Sequence, residues 1–155
     1  MVNIRLMEKR DINDVMDELL RLKRLNSEFD FALKVSTGNE NEIINRLNKM
    51  IDDRENHIIL VAEDDNKIVG ILISDVIFRI YYDPKYEVRI REFYIMPEYR
   101  GKDTGKILID KLVGIARKKD MKMITAEFPS LNLIAINFYK NMGFKELIKI
   151  YSKIE

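Results

Sequence analysis

Three strand-like runs follow one another with only short links between them: the β-branched His57 to Ala62, the β-rich Ile68 to Ile80, and Glu87 to Met96 with Val88, Ile90, Phe93 and Ile95 as its apolar members. No other feature limits the fold as strongly. Asp64-Asp65-Asn66-Lys67 is a turn, so the first two runs read as a hairpin. The third is reached through Tyr81-Tyr82-Asp83-Pro84-Lys85-Tyr86, a link far too short for a crossover helix. These runs read as three strands of a sheet, and the flanking sequence supplies the helices that cover it.

That cover is legible as helical periodicity. After a short strand at residues 2–7, Asp11 opens a helix of about four turns with Ile12, Val15, Met16, Leu19, Leu20 and Leu25 at helical spacing. Residues 26–38 lose the period. Asn39 then caps a second helix with Ile43, Leu47, Met50 and Ile51 on one face, ending at Asp52 to Asn56. Beyond the meander, Pro97 to Asp103 is a loop. Ile107, Leu108, Leu112, Val113, Ile115 and Ala116 mark a third helix that ends near Lys118-Lys119. Met121 to Phe128 reads as a strand, and Asn132 to Met142 as a helix stopped by Gly143. Phe144 to Ile154 reads as a last strand, from the alternation of Leu147, Lys149, Tyr151 and Lys153. The order β-α-α-β-β-β-α-β-α-β implies an α/β domain whose mixed sheet carries helices on both faces.

Composition narrows the chemistry. The 155 residues suit one domain, 1–155, and 46% hydrophobic with 34% charged residues is a globular composition. Lys plus Arg is 27 and Asp plus Glu is 26, which argues against a general nucleic-acid binder. Cysteine is absent and His57 is the single histidine, so disulfides, thiolate metal sites and His-centred triads have no basis, and no metal is expected. No apolar run approaches the ~20 residues of a membrane helix, and residues 1–5 lack a secretory apolar region. The expectation is a soluble cytoplasmic protein working without Cys or His; His57 reads as a strand residue.

The informative stretch runs from Glu92 to Lys106. A strand leads into a loop with Arg100, Gly101, Lys102, Asp103, Thr104, Gly105 and Lys106, and the loop opens a helix. Helix-start N–H groups have no internal partner and favour an anion, and glycines let it approach closely. Neither a nucleotide P-loop nor a dinucleotide fingerprint is present. Taken alone, the pattern leaves anion binding and an ordinary helix start evenly open.

Arg100-Gly101-Lys102-Asp103-Thr104-Gly105, placed between a strand and a helix, resembles the [Q/R]-x-x-G-x-[G/A] pyrophosphate loop of the GNAT superfamily of N-acetyltransferases. Asn132-Leu133-Ile134-Ala135-Ile136-Asn137-Phe138-Tyr139-Lys140-Asn141-Met142-Gly143-Phe144 is similar to the family's N-x-x-A-x-x-F-Y-x-x-x-G-F helix. The resemblance extends over essentially the whole chain. It implies a central mixed, mostly antiparallel sheet of six to seven strands with four helices on its two faces. It also implies acetyl transfer from acetyl-CoA to a primary amine by direct attack.

The same resemblance implies the site. The pyrophosphate falls on Arg100 to Lys106, and backbone groups of Ile95 and Met96 pair with pantetheine where the fourth and fifth strands splay. Asn132 lies near the pantetheine or thioester, and it is also a natural helix cap. Tyr139 reaches the sulfur as the acid, and Glu92 is the base, with Glu127 the second carboxylate. Asp103 stands where the family has glycine, and it reads as a helix cap. Glu28, Phe29, Asp30 and Phe31 are candidates for an acidic, aromatic-edged pocket that takes the acceptor, either a small-molecule amine or a protein N-terminus or lysine. No nucleic-acid or membrane partner is expected, and a homodimer is compatible with the family. The alternative reading is a CoA-binding or scaffold module of the same fold without turnover.

Overall fold

The computed structural model describes all 155 residues as one five-stranded sheet between two helical layers. The strands are β1 (Asn3–Leu6), β2 (His57–Asp64), β3 (Lys67–Phe78), β4 (Tyr86–Ile95) and β5 (Met123–Ala126), and they lie in the order β1-β2-β3-β4-β5. The helices are α1 (Ile12–Ser27), α2 (Glu40–Asp52), α3 (Thr104–Lys118) and α4 (Leu133–Asn141). The first four strands pair antiparallel and β5 joins β4 in parallel. That parallel step is the one place where a crossover helix is required, and α3 supplies it. No helix is long and apolar enough to cross a membrane.

The β2–β3 hairpin turns at Asp65 and Asn66, both left-handed at φ 50° and 63°, which matches the right-handed strand twist. Strand alternation then sends side chains to two cores. Ile59, Val61, Ile71, Ile73 and Tyr94 meet Ile12 and Val15 of α1 and Leu47 and Ile51 of α2. Leu60, Val69, Leu72, Val88, Ile90 and Ile95 meet Leu108, Ile109, Leu112 and Ala116 of α3 and Tyr139 of α4.

Two differences from the sequence reading matter. The sheet has five strands, not six to seven, because residues 145–155 form no ladder and are exposed throughout. Alternation is necessary for a strand but not sufficient. A strand also needs a neighbouring edge, and the chain leaves Phe144 packed on Tyr139 without returning along β5. The β5 strand is shorter than Met121 to Phe128 for a related reason. Its ladder with β4 ends at Ile90 and Ala126.

Within the α1 layer Glu18 is buried at 3% exposure, and its Oε1 has no hydrogen-bond partner. Burial pushes its carboxyl up to about 8. Between its ordinary value of 4.5 and about 8 the folded chain holds a proton that the unfolded chain releases, so stability falls as pH rises through that window. Glu18→Gln is expected to flatten this slope and to raise stability at neutral pH by about 1–3 kcal/mol. Urea unfolding of both proteins from pH 4 to 9 checks it, and parallel pH curves would contradict it.

Candidate active site

The site begins with a parity slip in β4. Val88 and Ile90 face the α3 side, and so do Phe93 and Ile95. Strict alternation cannot place both pairs on one face. The register supplies the extra residue: Ser74 pairs with Ile90, the adjacent Ile73 pairs with Glu92, and Arg91 is left over as a β-bulge. The slip is visible in the sequence as apolar residues moving from even to odd positions, a signal that a list of apolar members passes over.

The β5 ladder stops at the same point. Its last contact is the Glu127 N–H donating to the Ile90 carbonyl at 3.0 Å, and above it β4 has no neighbour on that side. Ile95 and Gly70 are opposed, and the Met96 N–H donates to the Val69 carbonyl at 2.8 Å. That register turns the N–H and C=O of Ile95, and of Phe93 two residues earlier, toward the open edge. Met96 is therefore not free to pair there. Its N–H is bound to Val69, and its carbonyl accepts from the Tyr99 N–H at 2.9 Å. The open edge belongs to Phe93 and Ile95.

Arg100 sits at the top of this slot. Its Nε donates to the Ile95 carbonyl at 2.9 Å, and its guanidinium lies 5.3 Å from the centre of the Tyr94 ring. Next come the consecutive N–H groups of Gly101 through Lys106, none of which donates to a carbonyl or side chain. Gly101 is left-handed at φ 75°. At Gly105 a Cβ would stand 3.1 Å from Phe93 and 3.3 Å from Phe138, so a larger residue would have to move those rings by a few tenths of an ångström. Lys102 lies over the Tyr99 ring, while Lys106 pairs with Asp110 one turn along the helix. Asp103 does not cap α3: its side chain makes no cap hydrogen bond, and it adopts the left-handed φ of 64°. The backbone keeps the shape that glycine would give, and a carboxylate remains beside the free N–H groups. An anionic group of pyrophosphate size fits these donors, flanked by Arg100 and Lys102.

On the α3–α4 side of the slot, Tyr139 is 6% exposed in a cage of Phe93, Phe128, Phe138 and Phe144, with Phe128 stacked at 5.2 Å and 5°. Burial pushes its phenol well above the usual range, so it stays protonated. Asn132 caps α4, its Oδ1 accepting from the Ala135 N–H at 3.1 Å, and its amide nitrogen is left uncommitted.

On the α1–α2 side, the bulge brings Arg91 and Glu92 to the same face. Burial raises the Glu92 carboxyl, and the Lys23 ammonium pulls it partly back. Lys23 Nζ of α1 is bonded to Glu92 Oε1, while Oε2 is buried without a partner. Arg91 bridges Glu127 at 3.1 Å and Asp75 at 3.4 Å, and Asp75 holds His57 Nδ1 at 2.7 Å. The acidic wall thus comes from the sheet. Glu28 is exposed, Asp30 accepts from its own Ala32 N–H at 2.8 Å, and Phe31 is 81% exposed, with Phe29 half-buried between them. Three of those four residues are thus exposed at the surface. Lys23, which does reach Glu92, lies one turn beyond Leu19 on the inward side of α1, and nothing in the sequence marks it except that placement.

The geometry is therefore a gap between two parallel strands, with a protonated phenol on one face, a carboxylate on the other, and an anion cradle at its top. Comparison with known proteins agrees. A protein from Methanocaldococcus jannaschii named as an uncharacterized N-acetyltransferase is 29% identical over 98 residues, 63% of this chain and 43% of that relative, so the match spans under half of the relative's length. A solved acetyltransferase with acetyl-CoA from Clostridium acetobutylicum superposes with a TM-score of 0.79 at 18% identity, covering 99% of this chain and 96% of that one. Glucosamine-6-phosphate N-acetyltransferase from Arabidopsis thaliana gives 0.75 at 18% identity, with 99% and 98% covered. At such identities the two structures establish the shared fold. The family model described as "Acetyltransferase (GNAT) family" matches residues 19–144, most of the chain, and this protein belongs to that family.

Proposed function

We propose that this protein is an acetyl-CoA-dependent N-acetyltransferase acting on a primary amine by direct attack in a ternary complex. The observation that carries the reading is the slot itself. It opens at the Arg91 bulge, between Glu92 on one face and Tyr139 on the other. The cofactor bound by the Clostridium acetobutylicum relative supports the choice of acetyl-CoA, which would supply the activated thioester.

The chain's own residues divide the work. Gly101 through Lys106 offer N–H donors to the pyrophosphate, with Arg100 and Lys102 beside them. The N–H and C=O groups of Phe93 and Ile95 extend the sheet toward the pantetheine amides, and one of these N–H groups is a donor for the thioester oxygen. Asn132 keeps an amide nitrogen for the same arm. Glu92 takes the proton of the incoming amine. That proton matters: with a Lys-like pKa only about one amine in ~10³ is neutral at pH 7, a handicap of roughly 4–5 kcal/mol. Tyr139 meets the departing sulfur. Transfer of a proton from a phenol to a thiolate runs uphill, and burial steepens it, so Tyr139 acts chiefly by donating a hydrogen bond to the developing negative charge. The amine reaches Glu92 from the α1–α2 side, along a wall that includes Asp75 and Glu127.

Thiol release from acetyl-CoA across a panel of amines tests the assignment. Failure of every amine in the panel to release thiol, together with a melting temperature unmoved by CoA, would sink it, since any ligand of the folded state must stabilise that state. Within an active enzyme, Glu92→Gln is expected to lower kcat/KM about 10²–10⁴-fold near neutrality. It should also remove the acidic limb of the pH profile and recover partly at high pH as free amine becomes abundant. Tyr139→Phe is expected to lower kcat while leaving the Kd for acetyl-CoA within about a few-fold, because only the hydroxyl is lost. Turnover equal to the parent, measured where chemistry limits the rate, would remove Tyr139 from the mechanism.

A further inference from the structure

We propose that Lys23 is itself an acetyl acceptor, modified in cis by its own active site. The inference rests on the acetyltransferase reading above and adds a substrate to it. Its basis is the Lys23–Glu92 contact: a primary ammonium on α1 lies on the carboxylate beside the open slot, where an acceptor amine has to be. Lys23 differs from the other lysines in its ion pairs. Lys9, Lys85, Lys106, Lys122, Lys149 and Lys153 all pair with exposed carboxylates, whereas the Glu92 side chain is 17% exposed and retains a second, unpartnered oxygen. The Lys23 side chain is itself 44% exposed, so its stem can shift without disturbing the core.

The chemistry closes. Glu92 takes one proton from the Lys23 ammonium, and the neutral Nζ attacks the thioester carbonyl. The N–C bond forms and the C–S bond breaks. The second proton lost by nitrogen goes to the departing sulfur, aided by the Tyr139 hydroxyl, and Glu92 returns its proton to solvent. The products are an Nε-acetyl-lysine and a thiol. Tethering favours the step, since a positioned internal amine acts at a high effective concentration. The acetyl group also removes the positive charge and leaves Glu92 without its partner, free for an external amine.

The test incubates the 155-residue protein with acetyl-CoA alone and follows acetylation of each lysine by peptide mass spectrometry. Lys23 is expected to gain one acetyl group at a rate independent of protein concentration and at least about 10-fold faster than exposed Lys119 or Lys122. Glu92→Gln, checked to be folded by its melting temperature, is expected to slow Lys23 about 10²-fold or more while leaving Lys119 unchanged. Lys23→Arg keeps the charge on Glu92, cannot be acetylated, and should show no fast site at all. Lys23 reacting no faster than Lys119, or equally fast in Glu92→Gln, would overturn the proposal. So would an unmodified Lys23 in a protein that acetylates added amines. Absence of both CoA binding and thiol release would count against the wider reading and is distinguishable from these results.

Discussion

One extra residue in β4 sets the geometry of everything else. A strand that pairs on both sides has no free backbone, and the first half of β4, held between β3 and β5, is of this kind. At Arg91 the pairing with β3 continues through a bulge while the pairing with β5 ends. The bulge turns Glu92 to the α1 side without rotating Phe93 and Ile95 away from the α3 side. A polar, open edge is therefore created inside an apolar sheet. Unpaired backbone groups there carry a cost unless something binds them. In this structure the Arg100 side chain meets part of that requirement at the Ile95 carbonyl.

The two helical layers follow from that division. The α3 start has to approach the sheet closely for its N–H groups to flank the slot, and Gly105 against Phe93 and Phe138 allows it. The α4 helix then lays Tyr139 among four phenylalanine rings, an environment that keeps the phenol neutral. Across the sheet, α1 packs Ile12, Val15, Leu19 and Leu22 on the core and sets Glu18 and Lys23 among them. On the sheet face opposite, Asp75, Arg91 and Glu92 interrupt the apolar surface of Ile71, Ile73 and Tyr94.

Much of this was readable in the amino-acid order. Periodicity found α1, α2 and α3, because each buries an apolar stripe, Gly143 marked the end of α4, and the turn residues found the hairpin. The loop and the Asn132-to-Phe144 helix pointed to the run of unbonded N–H groups at the α3 start and to Tyr139. What escaped depends on contacts between segments far apart in sequence. The ladder between β4 and β5 stops at Ile90, which decides that Phe93 and Ile95, not Met96, face the opening. Residues 144–154 have a strand's alternation and no edge to join. Asp30 looked available as an acidic wall but closes its own turn, while Asp75, from a strand read only as apolar, stands in the polar row. Lys23 carries no motif, and its place on Glu92 depends on a contact across 69 residues of chain.

The separation of the two faces has a consequence for descent with change. On the proposed reading, recognition of the acyl donor is concentrated in backbone groups, which side-chain substitution changes little. Recognition of the acceptor, on the proposed reading, is written in side chains along α1 and in the row from His57 to Glu127, on the opposite surface of the same strands. Substitutions there can alter charge and shape while the donor machinery stays as it is. A scaffold divided in this way can be retuned toward new amines one residue at a time, each intermediate keeping its hold on the donor.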